Sequence, residues 1–341
     1  MFKLIVLSLL IMLSIGLLML SNMNTYMHAP IMSEHESKYS SNNDVSAQQS
    51  YEFQVNKGAS FSAVTTQLQQ LKLIQHPIYF KIWATYKQQT QSIKPGEYVF
   101  TRSQSPQQIL LDLVSGEVKK YQMTIVEGKR FKDFMAELQQ HPKIVKTITD
   151  LNQVYQQFNI EQTSLEGLFF PDTYTFDADI TDMQILQQSH QLLTTQLQQA
   201  WETRDPSVKL ETPYDALILA SIVEKETSAP NERARIAGVF LTRLQKDMRL
   251  QTDPTVIYGL GESFDGNLTR KHLRTANPYN TYVNKGLPPS PIALVSKASI
   301  MAVMNPEWTG DLYFVSKKDG THYFSKTYRE HVQAVREYQL N

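Results

Sequence analysis

The feature that most constrains the fold of this 341-residue chain is a helix-forming segment that is apolar on nearly every side. The segment opens with Thr212 and Pro213, a hydroxyl residue at the N-cap followed by a proline at the first helical position. From Ala216 to Val223 nearly every residue is apolar. Such a pattern predicts a helix that is buried on most of its sides.

Two glutamates stand where this helix ends. Glu226 lies seven residues after Leu219 and three after Val223, so it extends a stripe of large apolar side chains. Glu224 extends a stripe of smaller ones. A carboxyl group against bulky apolar side chains loses hydration of its charged form, which raises its pKa and suits a proton donor near neutral pH. The alternative is that both glutamates form a solvated helix end, and the periodicity favours Glu226 only slightly.

Composition narrows the classes of function. Lysine plus arginine and aspartate plus glutamate both number 33, so no global charge attracts a nucleic acid and no such partner is expected. The absence of cysteine excludes disulfides, thiol catalysis, a zinc–cysteine site and a lipid-modified N-terminal cysteine. The eight histidines are scattered without helical metal-ligand spacing, so neither a metal nor another cofactor is predicted.

The N-terminus contains an uncharged run from Leu4 to Leu20, preceded by Lys3. Its 17 residues reach the short end of what spans a bilayer. We predict an uncleaved transmembrane anchor over residues 1–21, with a cleaved signal peptide as the competing interpretation. Lys3 favours a cytoplasmic N-terminus, which places the rest of the chain outside the cytoplasm. Residues 22–50, rich in Ser, Asn, Gln and His, are typical of a flexible tether.

Residues 51–118 have the pattern of a small α+β module. A strand around Phe53 is followed by two helices, over residues 59–71 and 78–86, and by a second strand over residues 98–100. A further helix opens at Ser105 and ends at Gly116. The strand–helix–helix–strand order resembles a LysM domain, a fold that binds N-acetylglucosamine polymers. The alternative is a linker domain without a ligand.

Residues 119–341 mix short strands with helices, which indicates an α+β domain. Residues 276–282 and 286–292 form two proline-pinned loops, and the first places tyrosines beside amides, a combination that suits sugars. The run of residues 164–174 either borders a cleft or fills the core. Near the C-terminus, residues 312–316 and 322–325 are predicted to pair as strands before a helix capped by Thr327.

Six runs carry a family likeness: LEGLFFPDTY, ASIVEKET, ERARIAGVFLTRLQKDMRLQTDPTVIYGLG, NPYNTY, GLPPSPI and LYFVSKKDGTHYFSKTYREH. Together with the anchor and the module, they resemble the YceG-like endolytic murein transglycosylases over essentially the whole chain beyond the tether. Ser290 stands where many relatives have glycine, a departure that concerns the geometry of this loop alone.

The resemblance implies cleavage of the β-1,4 bond between N-acetylmuramic acid and N-acetylglucosamine inside nascent peptidoglycan strands, without water. The product carries a 1,6-anhydromuramoyl end, and the cleavage limits strand length. The resemblance assigns catalysis to Glu226, the glutamate before threonine in EKET, acting first as acid and then as base. The candidate substrate-binding residues carried over from matching motifs are Gln251, Asp253, Tyr258, Asn280, Tyr282 and Glu166.

The resemblance also implies peptidoglycan synthases, the penicillin-binding proteins, as partners. It implies a single-pass protein of the inner (cytoplasmic) membrane whose catalytic domain, residues 119–341, lies in the periplasm. Two alternatives stay open. A hydrolytic muramidase would use an ordered water, activated through Asp253. A membrane-tethered glycan-binding scaffold would have no catalytic activity.

Overall fold

The computed structural model describes residues 2–31 and 50–340 and divides the chain into two compact units. The first unit extends from the N-terminus to Tyr121 and also takes in Thr175–Ala178. The second comprises Gln122–Tyr174 and the chain from Asp179 onward. The division at Tyr121 lies close to the predicted boundary at residue 118.

The first unit contains one long helix and a small α+β arrangement. Its elements are α1 (Phe2–His28), β1 (Ser50–Val55), α2 (Phe61–Gln70), α3 (Pro77–Tyr86), β2 (Gly96–Thr101) and α4 (Pro106–Ser115). Strands β1 and β2 pair in antiparallel fashion, with Phe53 opposite Tyr98. The order β–α–α–β agrees with the sequence pattern, and so do the caps of α4 at Ser105 and Gly116. The likeness to a LysM domain stays a prediction, because element order alone does not define that fold.

Helix α1 is longer than the sequence pattern indicates. Residues Ile5–His28 form a helix long and apolar enough to cross a membrane. Residues 22–28, predicted to belong to the tether, are therefore helical, because α1 continues to His28; residues 32–49 of the predicted tether lie outside the described part of the chain. The extension is stabilised by packing, since Met23 and Met27 are buried in the core of the first unit. Two methionines spaced by four residues are too weak a pattern to predict this contact.

The remaining elements lie in the second unit, except that β3 and β5 straddle the division. They are β3 (Lys120–Thr124), α5 (Phe131–Gln140), β4 (Ile144–Val145), α6 (Asn152–Phe158), β5 (Thr173–Asp177), β6 (Ile180–Thr181), α7 (Asp182–Glu202), α8 (Pro213–Glu226), α9 (Arg233–Gln245), α10 (Asp253–Leu260), α11 (Arg270–Arg274), α12 (Lys297–Met304), β7 (Tyr313–Ser316), β8 (His322–Ser325) and α13 (Tyr328–Tyr338). The pairs are β3 with β5, β4 with β6 and β7 with β8. Short paired strands among many helices make the described chain mixed α+β, as predicted.

Helix α8 lies at the centre of the second unit, packed by α7, α9, α10 and α12. All eight residues from Ala216 to Val223 are buried, which confirms the prediction of a helix enclosed on most sides. Its first turn is fixed by a capping box: the Thr212 hydroxyl accepts from the Asp215 N–H at 3.1 Å, and the Asp215 carboxylate accepts from the Thr212 N–H at 2.9 Å. A well-capped, buried helix fixes the position of whatever stands at its C-terminal end.

Candidate active site

Glu226 is the last residue of α8, and the chain leaves the helix immediately after it. Thr227 is extended, with φ −142° and ψ 138°. Its buried hydroxyl accepts a hydrogen bond from the Ala229 N–H at 3.0 Å, which holds the chain in its new direction. The Glu226 carboxyl group, partly buried, is therefore carried by a rigid helix end.

A cluster of buried threonines holds one oxygen of Glu226. The Thr252 hydroxyl donates to Oε2 of Glu226 at 2.7 Å. The Thr252 N–H donates to the Thr281 hydroxyl at 3.1 Å, and the hydroxyls of Thr255 and Thr281 lie 2.9 Å apart. All three threonines are almost fully buried, so the donor to Glu226 has a fixed position. The other oxygen, Oε1, accepts no hydrogen bond from residues 2–31 or 50–340 and is left for an external group.

Glu226 lines a cavity of about 490 Å³ in the second unit, and three predicted substrate-binding residues line the same cavity. These are Gln251, Asp253 and Tyr282. The Tyr282 hydroxyl donates to Oδ1 of Asp253 at 2.6 Å, which fixes that carboxylate at the start of α10. Gln251 adopts a left-handed backbone with φ 52°, a conformation uncommon outside glycine. The structure thus brings four of the seven predicted site residues together.

The environment of Glu226 favours its protonated form. Burial raises the pKa of Glu226 above its ordinary value, since the charged form loses hydration. The hydrogen bond from Thr252 lowers this pKa, and the negative charge of Asp253 raises it. The electrostatic influence of His322 and Arg243 lowers it by smaller amounts. Because the net direction is upward, the carboxyl group keeps its proton to a higher pH than an exposed glutamate does, as a general acid requires.

Arg243 lines the same cavity, and the sequence analysis missed it. Its guanidinium is buried and donates to three backbone oxygens: Nε to Leu312 at 2.7 Å, and Nη1 to Leu250 at 2.7 Å and to Arg249 at 3.2 Å. These bonds tie α9 to the segments before β7 and α10. A signal was present: Arg243 continues the buried stripe of Ile236 and Phe240, at a position where an apolar residue is expected.

His322 is the second cavity residue that the sequence analysis missed. Its ring Nδ1 lies 2.7 Å from Oε2 of Glu232, and the backbone N–H of His322 donates to Oε1 of the same carboxylate at 3.0 Å. This pairing fixes the imidazole on β8. Glu232 stands four residues before Ile236, so a buried charge at the other end of the same stripe was the available signal.

Aromatic rings form one wall of the cavity. Tyr313 stacks on His331 with ring centroids 5.2 Å apart, and Tyr328 lies 6.0 Å from Tyr313. The Arg243 guanidinium lies 5.1 Å from the centre of the Tyr313 ring. Burial lowers the pKa of His331, whose Nδ1 is buried and has no hydrogen-bond partner among the described residues. Tyrosine rings supply broad apolar faces with polar tips, which suits the alternating C–H and hydroxyl surface of a sugar.

Glu166 and Tyr258, two further predicted residues, line a different cavity of about 450 Å³. Oε1 of Glu166 accepts from the Phe131 N–H at 2.8 Å, at the first residue of α5, and Oε2 accepts from the Tyr258 hydroxyl at 3.3 Å. The Arg130 guanidinium lies 4.9 Å from the Tyr258 ring centre. Burial raises the pKa of Glu166 to about 7. Their role in substrate binding stays a prediction.

Asn280, the last of the predicted residues, is buried and is not among the residues that line the cavity of Glu226. Its side-chain amide donates to the carbonyl oxygens of His272, Leu273 and Thr275. Its Oδ1 accepts from the Tyr282 N–H at 3.0 Å. Asn280 therefore shapes the loop that carries Tyr282, and a direct contact with substrate stays a prediction.

The two glutamates at the end of α8 have different surroundings. Oε2 of Glu224 accepts from the N–H of Ser296 at 3.0 Å and from its hydroxyl at 2.5 Å, at the start of α12. The Glu224 side chain is only 3% exposed. The interpretation of both glutamates as a solvated helix end is thus wrong: Glu224 caps a neighbouring helix and Glu226 faces the cavity. Within residues 2–31 and 50–340, no group of three or more His, Asp or Glu side chains could hold a metal ion.

Fold and site together define a class: a mixed α+β protein, with an N-terminal apolar helix, whose central buried helix presents one carboxyl group to an aromatic-walled cavity. The chain belongs to the YceG-like family, whose model matches residues 53–337. A yceG-like protein from Listeria monocytogenes, known from a crystal structure, is 29% identical with a TM-score of 0.55. The match covers 84% of this chain and 99% of that one, so the fold is that of the family.

Two relatives are named endolytic murein transglycosylase. One, from Bacillus subtilis (strain 168), is 30% identical over 300 residues, a match that covers 82% of each chain. Another, from Streptococcus pneumoniae (serotype 2, strain D39), is 26% identical over 324 residues, which cover 83% of this chain. The same match covers 57% of the pneumococcal protein, so this chain spans little more than half its length.

Proposed function

We propose that this protein is a membrane-anchored endolytic murein transglycosylase. Its substrate is the β-1,4 bond between N-acetylmuramic acid and N-acetylglucosamine in nascent peptidoglycan strands. The observation that carries the proposal is Glu226, a carboxyl group of raised pKa in a cavity of about 490 Å³. One of its oxygens is held by Thr252 and the other has no partner among the described residues. The names of the Bacillus and Streptococcus relatives support the same activity.

In the proposed reaction Glu226 acts twice. It first gives its proton to the glycosidic oxygen while the C1–O bond of N-acetylmuramic acid breaks, both bonding electrons staying with the oxygen. The carboxylate then takes the proton of the C6 hydroxyl as O6 bonds to C1 and closes the 1,6-anhydro ring. Glu226 ends protonated and no water is consumed. A single carboxyl group therefore suffices, whereas hydrolytic glycosidases use a pair.

The positive charge that develops at C1 needs a stabilising partner. The Asp253 carboxylate, held by Tyr282 at 2.6 Å, lines the same cavity and can supply it. The Gln251 side-chain amide, exposed in the same cavity, offers donors and an acceptor to sugar hydroxyls. Tyr313 and Tyr328 provide faces for the sugar rings. In this assignment Asp253 remains charged throughout and exchanges no proton.

The presence of Asp253 beside Glu226 favours a hydrolytic muramidase as the second candidate. Hydrolytic glycosidases place two carboxyl groups about the scissile bond, one as acid and one as base or nucleophile. Asp253 would then activate a water molecule and the product would carry a reducing end. A non-catalytic glycan-binding scaffold would keep the same cavity and release no fragments.

We propose that α1 is a retained single-pass anchor that places both units on the outer side of the cytoplasmic membrane, in the periplasm of a cell that has one. Met23 and Met27 are buried in the core of the first unit, so cleavage after them would remove both side chains and expose that core. This supports an anchor over a cleaved signal peptide. Association with peptidoglycan synthases follows from the family resemblance, since such an enzyme acts on strands as they are made.

Mass spectrometry of the fragments released from uncrosslinked glycan strands by the whole chain in detergent tests the proposal. Anhydromuramoyl ends, lighter than reducing ends by one water, are expected. Reducing ends would instead identify a muramidase. Strands that bind without being cut would identify a scaffold.

The matched variants are Glu226→Gln and Glu224→Gln, which change two glutamates at the end of the same helix. We expect Glu226→Gln to lower the cleavage rate by on the order of 10³-fold, because it removes the proton donor. Glu224→Gln should cleave at a rate near that of the unmodified chain, since Glu224 contacts Ser296 outside the cavity. Equal activity of all three chains would remove Glu226 from the mechanism.

A further inference from the structure

Helix α3 exposes a stripe of apolar side chains that the core of the first unit does not use. Ile78 is 68% exposed, Ile82 50% and Tyr86 74%. The three residues are spaced by four, so they lie along one face of the helix; we refer to them as the α3 stripe. The opposite face of α3 carries Phe80 and Ala84 into the core. Large apolar groups held in water by a well-packed helix indicate a contact surface.

The same helix packs on the last turns of α1, the candidate membrane span. The Tyr26 hydroxyl accepts from the N–H groups of Gln75 and His76, at 2.8 and 3.0 Å, just before α3 begins. The Tyr26 ring also lies edge-on to Tyr79, with centroids 5.9 Å apart. Tyr79 and Trp83 each follow a stripe residue by one position, about 100° around the helix. The α3 stripe therefore borders the side of α3 that meets α1.

The length of α1 sets the depth of this contact. Leu20 is 57% exposed and continues the apolar surface that begins at Ile5, so it belongs to the lipid-facing part of the helix. Tyr26 follows six residues later, which is about 9 Å along the axis at 1.5 Å per residue. The headgroup region on each side of a bilayer is about 5–8 Å thick. If Leu20 is in the hydrocarbon, the start of α3 lies at the headgroups.

The side chains around this point have the chemistry of a membrane–water interface. His28 and Trp83 meet edge-on with ring centroids 5.5 Å apart, and Trp83 lies 6.4 Å from Tyr86. The Lys87 ammonium lies 5.2 Å from the Trp83 ring centre and 5.6 Å from that of Tyr86. Tryptophan and tyrosine concentrate at the interfacial level of membranes, and lysine places its charge among headgroups while its stem lies on apolar surface.

We propose that α3 is an interfacial helix that places Ile78, Ile82 and Tyr86 in the lipid at the outer boundary of the hydrocarbon. The partner is the bilayer in which α1 is anchored, so the inference rests on the anchor proposed above. The first unit is then seated on the membrane surface at two adjoining points, α1 and α3. A helix at this level buries its apolar face about 5–10 Å into the boundary between headgroups and acyl chains.

The absence of cysteine from the chain permits single-thiol variants without background. Ile78→Cys and Ile82→Cys report on the α3 stripe, and Thr66→Cys, exposed on α2, is the matched control. Each whole chain is reconstituted in vesicles of phosphatidylethanolamine and phosphatidylglycerol, and flotation with the vesicles shows that α1 is inserted. Each thiol is then labelled with a membrane-impermeant maleimide and, separately, with a lipid-soluble maleimide. Both reactions are run in the vesicles and in nanodiscs of the same lipids.

We expect the impermeant reagent to label residues 78 and 82 in vesicles slower than residue 66 by about ten-fold or more, because a charged reagent does not enter the lipid in which these two thiols lie. The lipid-soluble reagent should label all three at similar rates. Equal labelling of all three thiols by the impermeant reagent, with flotation intact, would overturn the interfacial position of α3. Slow labelling of 78 and 82 by both reagents would overturn it too, since a protein surface would then cover the stripe. Failure of the chain to float with the vesicles would contradict the proposed anchor and therefore this inference as well. It would not bear on the catalytic proposal.

Discussion

Thr252 and Asp253, adjacent in sequence, act in opposite directions on the pKa of Glu226. The largest influence is burial, which raises it; the Thr252 hydrogen bond lowers it and the Asp253 charge raises it. Cleavage requires protonated Glu226, so activity should fall as pH rises through this pKa. We expect Thr252→Val to move the fall of kcat/KM to higher pH and Asp253→Asn to move it to lower pH. The pH profile of fragment release measures both shifts.

The conservative change Thr252→Ser is the control for this pair. It keeps the hydroxyl that donates to Glu226 at 2.7 Å, so its profile should match that of the unmodified chain. Shifts of Thr252→Val and Asp253→Asn in the same direction would contradict the assignment of Glu226 as the titrating acid. Asp253→Asn should also lower the maximal rate, because it removes the charge proposed to stabilise C1.

Glu166 makes the stability of the fold depend on pH. Burial raises its pKa from 4.5 to about 7, so the folded chain binds this proton more tightly than the unfolded chain. The resulting stabilisation is complete below the unfolded pKa and is lost as pH rises through about 7. Glu166→Gln stays neutral at every pH. We expect it to remove a decrease of about 2–3 kcal/mol in unfolding free energy between about pH 5 and about pH 8. Thermal melts at the two pH values measure this change in unfolding free energy. The same change with pH in Glu166→Gln and in the unmodified chain would contradict the raised pKa of Glu166.

Sequence could indicate some site residues and not others for physical reasons. The apolar stripe at the end of its helix favoured Glu226 only slightly over Glu224, and the family resemblance carried the choice between them. Arg243 and Glu232 continue the stripe of the next helix in the same way, and that pattern was available. The orientation of His322, by contrast, depends on a hydrogen bond to a residue ninety positions earlier in the chain. No local pattern encodes such a pair.

Helix α9 approaches a neighbouring backbone so closely that one glycine is required. A Cβ placed on Gly238 would lie 2.2 Å from the carbonyl oxygen of Glu307. The Glu307 N–H in turn donates to the Ala234 carbonyl at 2.9 Å, which holds the two segments together. We expect Gly238→Ala to destabilise the second unit by about 1–3 kcal/mol through overpacking. In an unobstructed helix the same change stabilises by up to about 1 kcal/mol. A lower melting temperature would therefore support the close contact with Glu307, and a higher one would contradict it.

At the level of elements, helix ends with strong capping residues were predicted correctly, whereas helix α10 was not predicted. Thr327 with Glu330 caps α13, and β7 pairs with β8, as the sequence indicates. The first residues of helix α10, Asp253 and Pro254, are polar and proline-containing, a combination that is typical of a break after a helix. The same two residues, after Thr252, are also a helix start, with a carboxylate and a proline in the first turn. Only the packing of the folded chain decides whether these residues end one helix or begin another.

On the scale of the whole molecule, the least predictable feature is the junction between the proposed membrane segment and the rest of the first unit. Composition indicated an anchor followed by a tether from residue 22. The helix instead continues to His28 and contributes Met27, which is fully buried, to the core of the first unit. The division between the proposed anchor and the folded domain therefore lies inside one helix, because long-range packing overrides the local change in composition.

Two truncations test whether the end of α1 is part of the folded unit. Removal of residues 1–20 keeps Met23 and Met27, and the melting temperature of the first unit should stay unchanged. Removal of residues 1–49 takes both methionines out of the core; loss of one buried methionine side chain alone costs about 2–5 kcal/mol. For a unit of this size that amounts to a decrease of about 8 °C or more, measurable by calorimetry. Identical melting of the two truncated chains would show that the first unit folds without α1, and a cleaved signal peptide would then become the better interpretation of the N-terminus.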